Sequence, residues 1–439
     1  VNGVSFKHSL LMGLGSDGGL LVPEQIPNIT PQLENWRSLD FPSLAKELIG
    51  IFADDIDRPT LGGLIDQAYA AFDHPEVVPM RELGDITLVE LFHGPTLAFK
   101  DVALQLLGQL FEHALAKDGR HLNILGATSG DTGSAAIAGV RGQENIDIFI
   151  LYPNEKVSHL QELQMTTVPD SNVHCVAVNG SFDDCQSLMK EVFADLEFKE
   201  AHSLGAVNSV NWARVLAQVV YYGYVSLKFN EPVSFCVPTG NFGNVFAAYL
   251  ARKMGFPIAE LVVGTNENDI LARFFRTGEY ARGDVHHTLS PAMDIQVASN
   301  FERFLYYYFD CDVERLQAFM NDFQKTGAAH LDSAPDDAGF LATSVNTEET
   351  LATLRDVYAE CGYVLDPHTA VGVAASKKCA IVGPKVCIAT AHPAKFPDAV
   401  KRALPEVDSR HPTLDALVDR AERKVVIEPT LEAVKALFD

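Results

Sequence analysis

The sequence predicts an α/β protein of two open, twisted parallel-sheet lobes that follow a helical N-terminal region. Three observations indicate this fold class. At 439 residues the chain exceeds one small core, so two or three lobes are expected. From about residue 88, short apolar runs alternate with helical patterns, which is typical of parallel strands joined by crossover helices. With 47% apolar and 21% charged residues, the composition is that of a folded enzyme and not of a disordered chain.

Residues 1–87 are predicted to be a helix-rich extension punctuated by proline. Helical patterns occur in PSLAKELIGIFA and LGGLIDQAYAAF, whereas GGLLVPEQIPNITP is rich in turn residues. Gly13, Gly15 and Gly18 match G-x-G-x-x-G, the dinucleotide fingerprint, which requires a strand before it and a helix after it. Here a helical pattern precedes the glycines and an extended segment follows, so no dinucleotide site is expected.

Residues 88–206 are predicted to form a small α/β lobe. The run ITLVELF predicts a strand, and apolar residues after Lys100 recur at helical spacing, with Asp101 where a negative charge favours a helix start. Strand and helix patterns then alternate in the order HLNILGA, SAAIAGVRG, IDIFILYP, SHLQELQM, NVHCVAV and FDDCQSLMKEVFADL. This succession predicts a parallel sheet.

Residues 207–439 are predicted to form a larger α/β lobe. The alternating patterns are WARVLAQVVYYGYVSL, VSFCVP, VFAAYLARKMG, ELVVGTN and DILARFFRTGEY, with a last strand and loop in VCIATAHPAKFP. The final forty residues contain only a helix or two and a short strand. We therefore expect no appended regulatory domain and no allosteric activation through one.

The charge balance excludes several partners. The chain has 34 Lys+Arg and 58 Asp+Glu, a formal charge of -24, and no basic cluster of five or more residues. Such a surface repels phosphate backbones and anionic lipid, so neither nucleic acid nor membrane is an expected partner. The seven cysteines are scattered without a C-x-x-C pair, and no basic, apolar leader is visible, so a cytoplasmic location is expected.

No metal site is predicted. His286–His287 and the single His93, His368 and His392 lack ligand spacing, and each is expected to be a structural or local hydrogen-bonding residue. The absence of G-x-S-x-G also argues against a hydrolase nucleophile elbow.

Two glycine-rich loops follow predicted strands, where ligands bind in open α/β sheets. The first, GATSGDTGSAA at residues 126–136, is rich in hydroxyls and small residues before a helix. The second, PTGNFGN at residues 238–244, lacks the G-K-[ST] ending of a nucleotide-triphosphate loop but suits a phosphate held by backbone amides. Alone, each loop could also be a plain β–α turn.

Lys100 stands between an apolar run and a helix, in HGPTLAFKD. Taken by itself, it could be an ordinary surface charge. A buried lysine, however, can lose its proton and form a Schiff base, and pyridoxal phosphate requires both such a lysine and a phosphate site. The combination of Lys100 with the two loops therefore favours pyridoxal-phosphate chemistry.

Five segments in this order, ELFHGPTLAFKD, ATSGDTG, NSVNWARVLAQ, PTGNFGN and ATAHPAKF, closely resemble the threonine synthase family. The opening VSFKHSLLMGLGSDGGLLVPEQIP and the later GYVLDPHTAVG are similar to that family too, so the resemblance covers nearly the whole chain. It implies fold type II, the fold of tryptophan synthase β-subunits and cysteine synthases. It also implies pyridoxal 5′-phosphate as cofactor and the conversion of O-phospho-L-homoserine and water into L-threonine and phosphate.

The resemblance also implies roles for individual residues. Lys100 carries the cofactor and acts as the base, and Thr390 is the hydroxyl partner of the pyridine nitrogen. Asp131 lies near the phenolic oxygen, where a carboxylate would repel a phenolate unless a proton is shared. The loop residues that hold the cofactor phosphate through their amides are Gly240, Asn241, Phe242, Gly243 and Asn244.

Substrate contacts follow from the same resemblance. The residues expected to grip the amino acid are Thr128, Ser129, Gly130 and Thr132, and Thr132 is also expected to act in catalysis. Candidates for the basic pocket that holds the substrate phosphate are Lys156, Ser158, Asn208, Asn211 and Arg214. Lys156 could instead start a helix in solvent, and Arg214 could pair with an acid on a helix face.

Two alternatives remain open at this point. One is a serine or threonine dehydratase, a cysteine synthase or another β-replacement enzyme of the same fold, although the long N-terminal extension and the residues before Lys100 argue against it. The other is a catalytically silent relative that binds a ligand or partner. We expect a monomer or a homodimer.

Overall fold

The computed structural model describes residues 3–15, 17–116, 119–335 and 338–438. The helices are α1 Phe6–Met12, α2 Leu33–Trp36, α3 Phe41–Phe52, α4 Arg58–Tyr69, α5 Lys100–Ala116, α6 Asp131–Val140, α7 His159–Thr166, α8 Phe182–Ala194, α9 Leu196–Ala201, α10 Trp212–Ser226, α11 Gly243–Met254, α12 Ile270–Thr277, α13 Phe301–Tyr308, α14 Val313–Thr326, α15 Thr347–Cys361, α16 Pro367–Lys378, α17 Pro397–Ala403, α18 Pro412–Asp415 and α19 Leu431–Lys435. The strands are β1 Met80–Leu83, β2 Ile86–Glu90, β3 Leu122–Ala127, β4 Ile146–Pro153, β5 Val173–Val178, β6 Leu204–Gly205, β7 Val233–Pro238, β8 Ile258–Thr265, β9 Glu279–Ala281, β10 Ala328–His330, β11 Phe340–Ser344, β12 Lys385–Ala389 and β13 Val425–Ile427.

Two mainly parallel sheets confirm the predicted α/β class. A six-stranded sheet has the order β1-β2-β12-β7-β8-β11, with only β1 antiparallel to its neighbour, and a five-stranded parallel sheet has the order β13-β5-β4-β3-β6. Every residue of β7 is buried, as expected for a strand covered by helices on both faces. A short antiparallel pair joins β9 and β10.

The sheets are assembled from segments that are distant in the sequence. Strand β2, near the start of the predicted small lobe, pairs with β12 in the six-stranded sheet, and β13 near the C-terminus pairs with β5 in the five-stranded sheet. Each sheet therefore contains a strand from outside the sequence range of its predicted lobe. The division of the chain into domains at 87/88 and 206/207 stays a prediction.

The N-terminal region is helical and packs on the centre of the molecule. The ring of Phe41 in α3 makes edge contacts with Tyr69 at 5.0 Å and with Tyr224 of α10 at 5.7 Å between ring centroids. All residues of α10 are buried, which explains why its sequence is apolar almost all round. Gly13 caps the end of α1, and residues 19–23 form neither helix nor strand, so the G-x-G-x-x-G spacing is not the strand–turn–helix of a dinucleotide site.

No helix in the described parts of the chain is long and apolar enough to cross a membrane.

Candidate active site

Lys100 is the first residue of α5 and lies in the interior. Only 9% of it is exposed, and its Nζ lies 5.1 Å from the centre of the Phe99 ring. Burial lowers the pKa of Lys100, because the protein interior disfavours the charged form. Asp131 opposes this shift, while the positive charges of Lys395 and Arg214 add to it. A lysine with a lowered pKa can act as nucleophile and base, so Lys100 is not an ordinary surface charge.

Asp131 is the first residue of α6, at the end of the ATSGDTG loop, and it lies beside Lys100. Its Oδ2 lies 3.4 Å from Lys100 Nζ, and its Oδ1 lies 3.0 Å from Lys395 Nζ. Oδ1 also accepts a hydrogen bond of 3.0 Å from Gln161. Burial alone would raise the pKa of Asp131, but the two lysines outweigh it and hold that pKa well below its usual range. Asp131 is therefore an ionised carboxylate.

Lys395 is a site residue that the sequence analysis missed. It lies in the ATAHPAKF segment after β12, its side chain is fully buried, and its Nζ donates a 2.7 Å hydrogen bond to the carbonyl of Thr96. The same Thr96 donates from its backbone N–H and its hydroxyl to Asp101, which fixes the loop before α5. The available signal was a lysine between apolar residues at the carboxyl end of a strand.

The ATSGDTG loop is shaped mainly by its own first threonine. Thr128 Oγ1 accepts hydrogen bonds from the N–H groups of Gly130 at 3.0 Å and Gly133 at 2.9 Å. Gly130 has φ of 141°, and a Cβ there would come within 2.6 Å of Gln161, so only glycine suits the position. Ser129 is exposed and Thr132 is half-buried, and neither side chain bonds to another described residue.

The PTGNFGN loop leads into α11 with free donors. None of the N–H groups from Gly240 to Asn244 donates a hydrogen bond to another residue that the structure describes. A Cβ at Gly240 would lie 2.5 Å from the carbonyl oxygen of Ala292, so the backbone runs too close for any side chain. Phe242 has φ of 65° and its ring is buried against Phe301, which anchors the loop. Free amides at a helix N-terminus form an anion site.

Asn244 adds a side-chain donor to this loop. Its Oδ1 accepts hydrogen bonds from Tyr221 at 2.5 Å and Tyr222 at 2.7 Å, so the amide orientation is fixed. Its Nδ2 is buried and has no partner among the described residues. Asn300, which the sequence analysis also missed, is fully buried and donates from its side chain to the carbonyls of Asn241 and Ser209, both at 3.2 Å.

Thr390 directly follows β12 and is connected to the Lys100 segment. Its carbonyl accepts a 2.8 Å hydrogen bond from the N–H of Phe99, and its N–H donates to the Thr369 hydroxyl at 3.1 Å. The Thr390 hydroxyl itself is buried and has no partner among the described residues. An orphaned hydroxyl in a protein interior calls for a ligand.

Arg214 carries a buried guanidinium with no acidic partner among the residues that the structure describes. Its Nη1 donates to the carbonyl of Val207 at 3.1 Å and its Nε has no partner among the described residues. Burial alone lowers the pKa of Arg214 to about 10. Arg303, equally enclosed, differs because its guanidinium donates to the carbonyls of Leu21 and Val210 and to the side chain of Asn300. The expected alternative for Arg214, an ion pair on a helix face, is wrong for the described residues.

The other candidate phosphate ligands have varied surroundings. Lys156 is exposed and donates to the carbonyl of Gly180 at 3.0 Å, and Ser158 caps α7 and donates to Gln161. Asn211 is fully buried, caps α10 and donates to the carbonyl of Leu10, so its contacts are structural. Asn208 has a buried Oδ1 without a partner among the described residues. Arg214, whose unpaired Nε is a donor, is therefore the best-placed candidate, whereas the unpaired atom of Asn208 is an acceptor.

A cavity of about 450 Å³ is lined by residues of the HGPTLAFKD and ATAHPAKF segments, among them His93 and His392. Lys100 does not line it. His93, on its wall, contacts Glu90 at 2.8 Å and Asp73 at 3.1 Å, and burial lowers the pKa of His392 to about 4. The charged groups of this cavity largely pair with one another. It therefore supplies no reactive group to the site around Lys100.

Pyridoxal phosphate fits the donor set of this site. Lys100 supplies a buried amine, the 240–244 loop supplies unpaired amides, and Thr390 and Asn244 supply orphaned buried polar atoms. These observations match a group that carries an aldehyde, a phosphate and a ring nitrogen. The fold and the site together define a pyridoxal-phosphate-dependent enzyme of the α/β type.

Comparison with known proteins agrees with this class and narrows it. Residues 80–391 match the family described as pyridoxal-phosphate dependent enzyme, residues 1–69 match the threonine synthase N terminus, and residues 369–438 match the threonine synthase C-terminal region. Threonine synthase from Pseudomonas aeruginosa is 44% identical, with 99% of this chain and 95% of that protein covered. Threonine synthase from Schizosaccharomyces pombe is 45% identical, with 91% and 87% covered.

A solved structure gives the same result. The PLP-bound threonine synthase from Brucella melitensis superposes with a TM-score of 0.96 at 43% identity, with 99% of this chain and 96% of that chain covered. The chain therefore belongs to the threonine synthase family, and pyridoxal 5′-phosphate is its cofactor. Threonine deaminase from Solanum lycopersicum shares only the fold, at 12% identity and a TM-score of 0.55.

Proposed function

We propose that this chain converts O-phospho-L-homoserine and water into L-threonine and phosphate. Membership of the threonine synthase family supports the reaction class. The observation that carries the substrate is Arg214, a buried guanidinium near Lys100 that has no carboxylate partner in the described protein. A buried cation of this kind requires an anion, and a substrate phosphate supplies one.

When bound, the cofactor would supply an electron-withdrawing ring that makes the proton on the amino-bearing carbon, and then a proton on the adjacent carbon, removable. Lys100 removes the α-proton and later a β-proton of the substrate, which its lowered pKa permits. Phosphate then leaves from the γ-carbon, water adds at the β-carbon and protons return. One water is consumed for each threonine and phosphate formed, so the atoms balance.

The remaining roles belong to the same proposal. The N–H groups from Gly240 to Asn244 would hold the cofactor phosphate, and the Thr390 hydroxyl would hydrogen-bond to the ring nitrogen. Asp131 would lie near the phenolic oxygen of the bound cofactor. The substrate carboxylate is gripped by the loop residues Thr128, Ser129, Gly130 and Thr132. Of the predicted candidates Lys156, Ser158, Asn208, Asn211 and Arg214, the residue proposed to hold the substrate phosphate is Arg214.

The test measures threonine and phosphate release from O-phospho-L-homoserine by the purified protein with pyridoxal phosphate. Wild type should form both products in equal amounts. Lys100→Ala should form neither, whereas the exposed Lys401→Ala should match wild type. L-serine and L-threonine are assayed in parallel for oxo-acid and ammonia. Oxo-acid formation without reaction of the phosphorylated substrate would replace this proposal by a dehydratase, and no reaction at all with cofactor retained would leave the silent alternative.

We also propose that the protein is cytoplasmic and acts as a monomer or a homodimer. Light scattering on the cofactor-loaded protein measures the assembly, and a particle larger than a dimer would contradict this proposal.

A further inference from the structure

We propose that Lys395 is a positioning residue: its ammonium group fixes Asp131 beside Lys100 and neutralises that carboxylate, which leaves the amino group of Lys100 free to react. The inference deepens the proposed function and rests on it for its catalytic meaning. Its test, however, needs only the cofactor and not the phosphorylated substrate.

The position of Lys395 is fixed by contacts from distant parts of the chain. Its side chain is fully buried and its Nζ bonds to the carbonyl of Thr96 at 2.7 Å and to Asp131 Oδ1 at 3.0 Å. The Thr96 carbonyl also accepts a 3.1 Å hydrogen bond from Gln164. An ammonium group that is held on two sides in the interior cannot swing away, so its charge stays next to Asp131.

The two oxygens of Asp131 have different partners. Oδ1 lies 3.0 Å from Lys395 Nζ and accepts a hydrogen bond from Gln161 Nε2, also at 3.0 Å. Oδ2 lies 3.4 Å from Lys100 Nζ, which is a longer distance. Charge-assisted hydrogen bonds strengthen as they shorten, so Asp131 is bound primarily to Lys395. Lys100 is left with the weaker contact.

Charge balance then decides which lysine loses its proton. Two lysines share one carboxylate, so the cluster carries an excess positive charge when both are protonated, and Lys100 has the weaker pairing. The other ionisable groups that act on the cluster are Arg214 toward Lys100, His368 toward Asp131, and Asp101 toward Lys395. Without Lys395, Asp131 and Lys100 would form a closed one-to-one pair that stabilises a proton on Lys100.

The pairing of Asp131 with Lys395 also explains how a carboxylate can lie near a phenolic oxygen. An isolated carboxylate would repel a phenolate, but Asp131 paired with a buried ammonium adds no net negative charge. Lys395 therefore allows an aspartate at this place.

The experiment uses cofactor-loaded full-length protein and follows the visible absorbance of the lysine-bound cofactor against pH. The midpoint is the pH at which half of this absorbance change has occurred. In Lys395→Met the unneutralised Asp131 should raise the midpoint by at least about one pH unit, a tenfold change in proton affinity. Lys395→Arg keeps the charge and should stay near wild type, and Asp131→Asn should lower the midpoint. Lys401→Met, an exposed lysine in α17, is the matched control and should not change it.

A merely structural role for Lys395 would not move the midpoint in opposite directions for Lys395→Met and Asp131→Asn. An unchanged or lowered midpoint in Lys395→Met, or an equal rise in Lys395→Arg, would overturn the inference. If Lys395→Met does not fold, the midpoint of Asp131→Asn is the test. A midpoint in Asp131→Asn that is not lower than in wild type would refute the inference.

If wild type shows no midpoint in the accessible range, the pH dependence of cofactor affinity in the same variants is decisive. Lys395→Met should then bind pyridoxal phosphate about tenfold more weakly at neutral pH, because the cofactor competes with a proton on Lys100. Equal affinity in wild type and Lys395→Met would refute the inference. Since no step involves O-phospho-L-homoserine, a failed substrate proposal would leave these results unaffected.

Discussion

The variant Arg214→Met should weaken binding of the substrate phosphate without destabilising the folded protein. Burial lowers the pKa of Arg214 from its ordinary value to about 10, which corresponds to about 3 kcal/mol of unfavourable ionisation at about 1.4 kcal/mol per pKa unit. A dianionic substrate phosphate offsets this cost when it binds. Charge-assisted hydrogen bonds to the phosphate contribute about 1.5–3 kcal/mol, so Arg214→Met should lower kcat/KM for O-phospho-L-homoserine by about 10- to 150-fold.

The free energy of unfolding of Arg214→Met should not fall together with its kcat/KM. Met keeps the apolar stem of the side chain and removes an unpaired buried charge, while the carbonyl of Val207 loses its partner. These effects nearly cancel, so cofactor-loaded Arg214→Met should be as stable as wild type or up to about 2 kcal/mol more stable. Inorganic phosphate should stabilise wild type and not the variant, because only wild type binds it.

Arg303→Met is the matched comparison. It removes an equally buried guanidinium, but one whose nitrogens hold the carbonyls of Leu21 and Val210, so it should destabilise the protein strongly. Denaturant unfolding with and without phosphate, together with steady-state kinetics, measures both quantities. A kcat/KM within threefold of wild type, or a loss of stability comparable to that of Arg303→Met, would refute the assignment of Arg214 to the substrate phosphate.

Three further variants test the site. Gly240→Ala places a Cβ 2.5 Å from a backbone oxygen and should weaken pyridoxal-phosphate binding at least tenfold by equilibrium dialysis, whereas Gly63→Ala, with open space in α4, should bind normally. Thr390→Val removes a hydroxyl without a described partner, so it should slow threonine formation about tenfold while leaving the urea midpoint unchanged. Burial raises the pKa of Asp101 to about 6, so the folded protein binds a proton that the unfolded chain releases near pH 4, and wild type loses stability as pH rises from 4 to 6. The stability of Asp101→Asn minus that of wild type should therefore rise by about 2.5 kcal/mol between pH 4 and pH 7. Urea unfolding at the two pH values measures this, and a pH-independent difference would contradict the prediction.

Local patterns predicted most of the fold and part of the site. The alternation of apolar runs and helical patterns identified the parallel sheets, and the loops at residues 126–136 and 238–244 lie at the ends of β3 and β7 as expected. These features depend on residues close in the sequence. Lys100 was identifiable because its segment joins an apolar run to a helix within ten residues.

Long-range features were not predictable in this way. The contact between Lys395 and Thr96 spans 299 positions, and that between Asn300 and Ser209 spans 91. Neither has a local signal, because each depends on which strand lies next to which. For the same reason the pairing of β13 with β5, across some 250 residues, could not be inferred from a terminal apolar triplet.

Bulk charge and site charge have opposite signs in this protein, and that contrast is testable. The formal charge of -24 repels an anionic substrate at long range, whereas Lys395 and Arg214 are buried cations that act at short range. Salt screens the long-range repulsion, with a Debye length of about 10 Å at 0.1 M, but it screens buried groups far less. Raising ionic strength with a weakly competing salt should therefore increase kcat/KM for O-phospho-L-homoserine modestly, with kcat unchanged. A fall in kcat/KM would mean that an exposed cation such as Lys156, and not buried Arg214, provides the main attraction for the substrate phosphate.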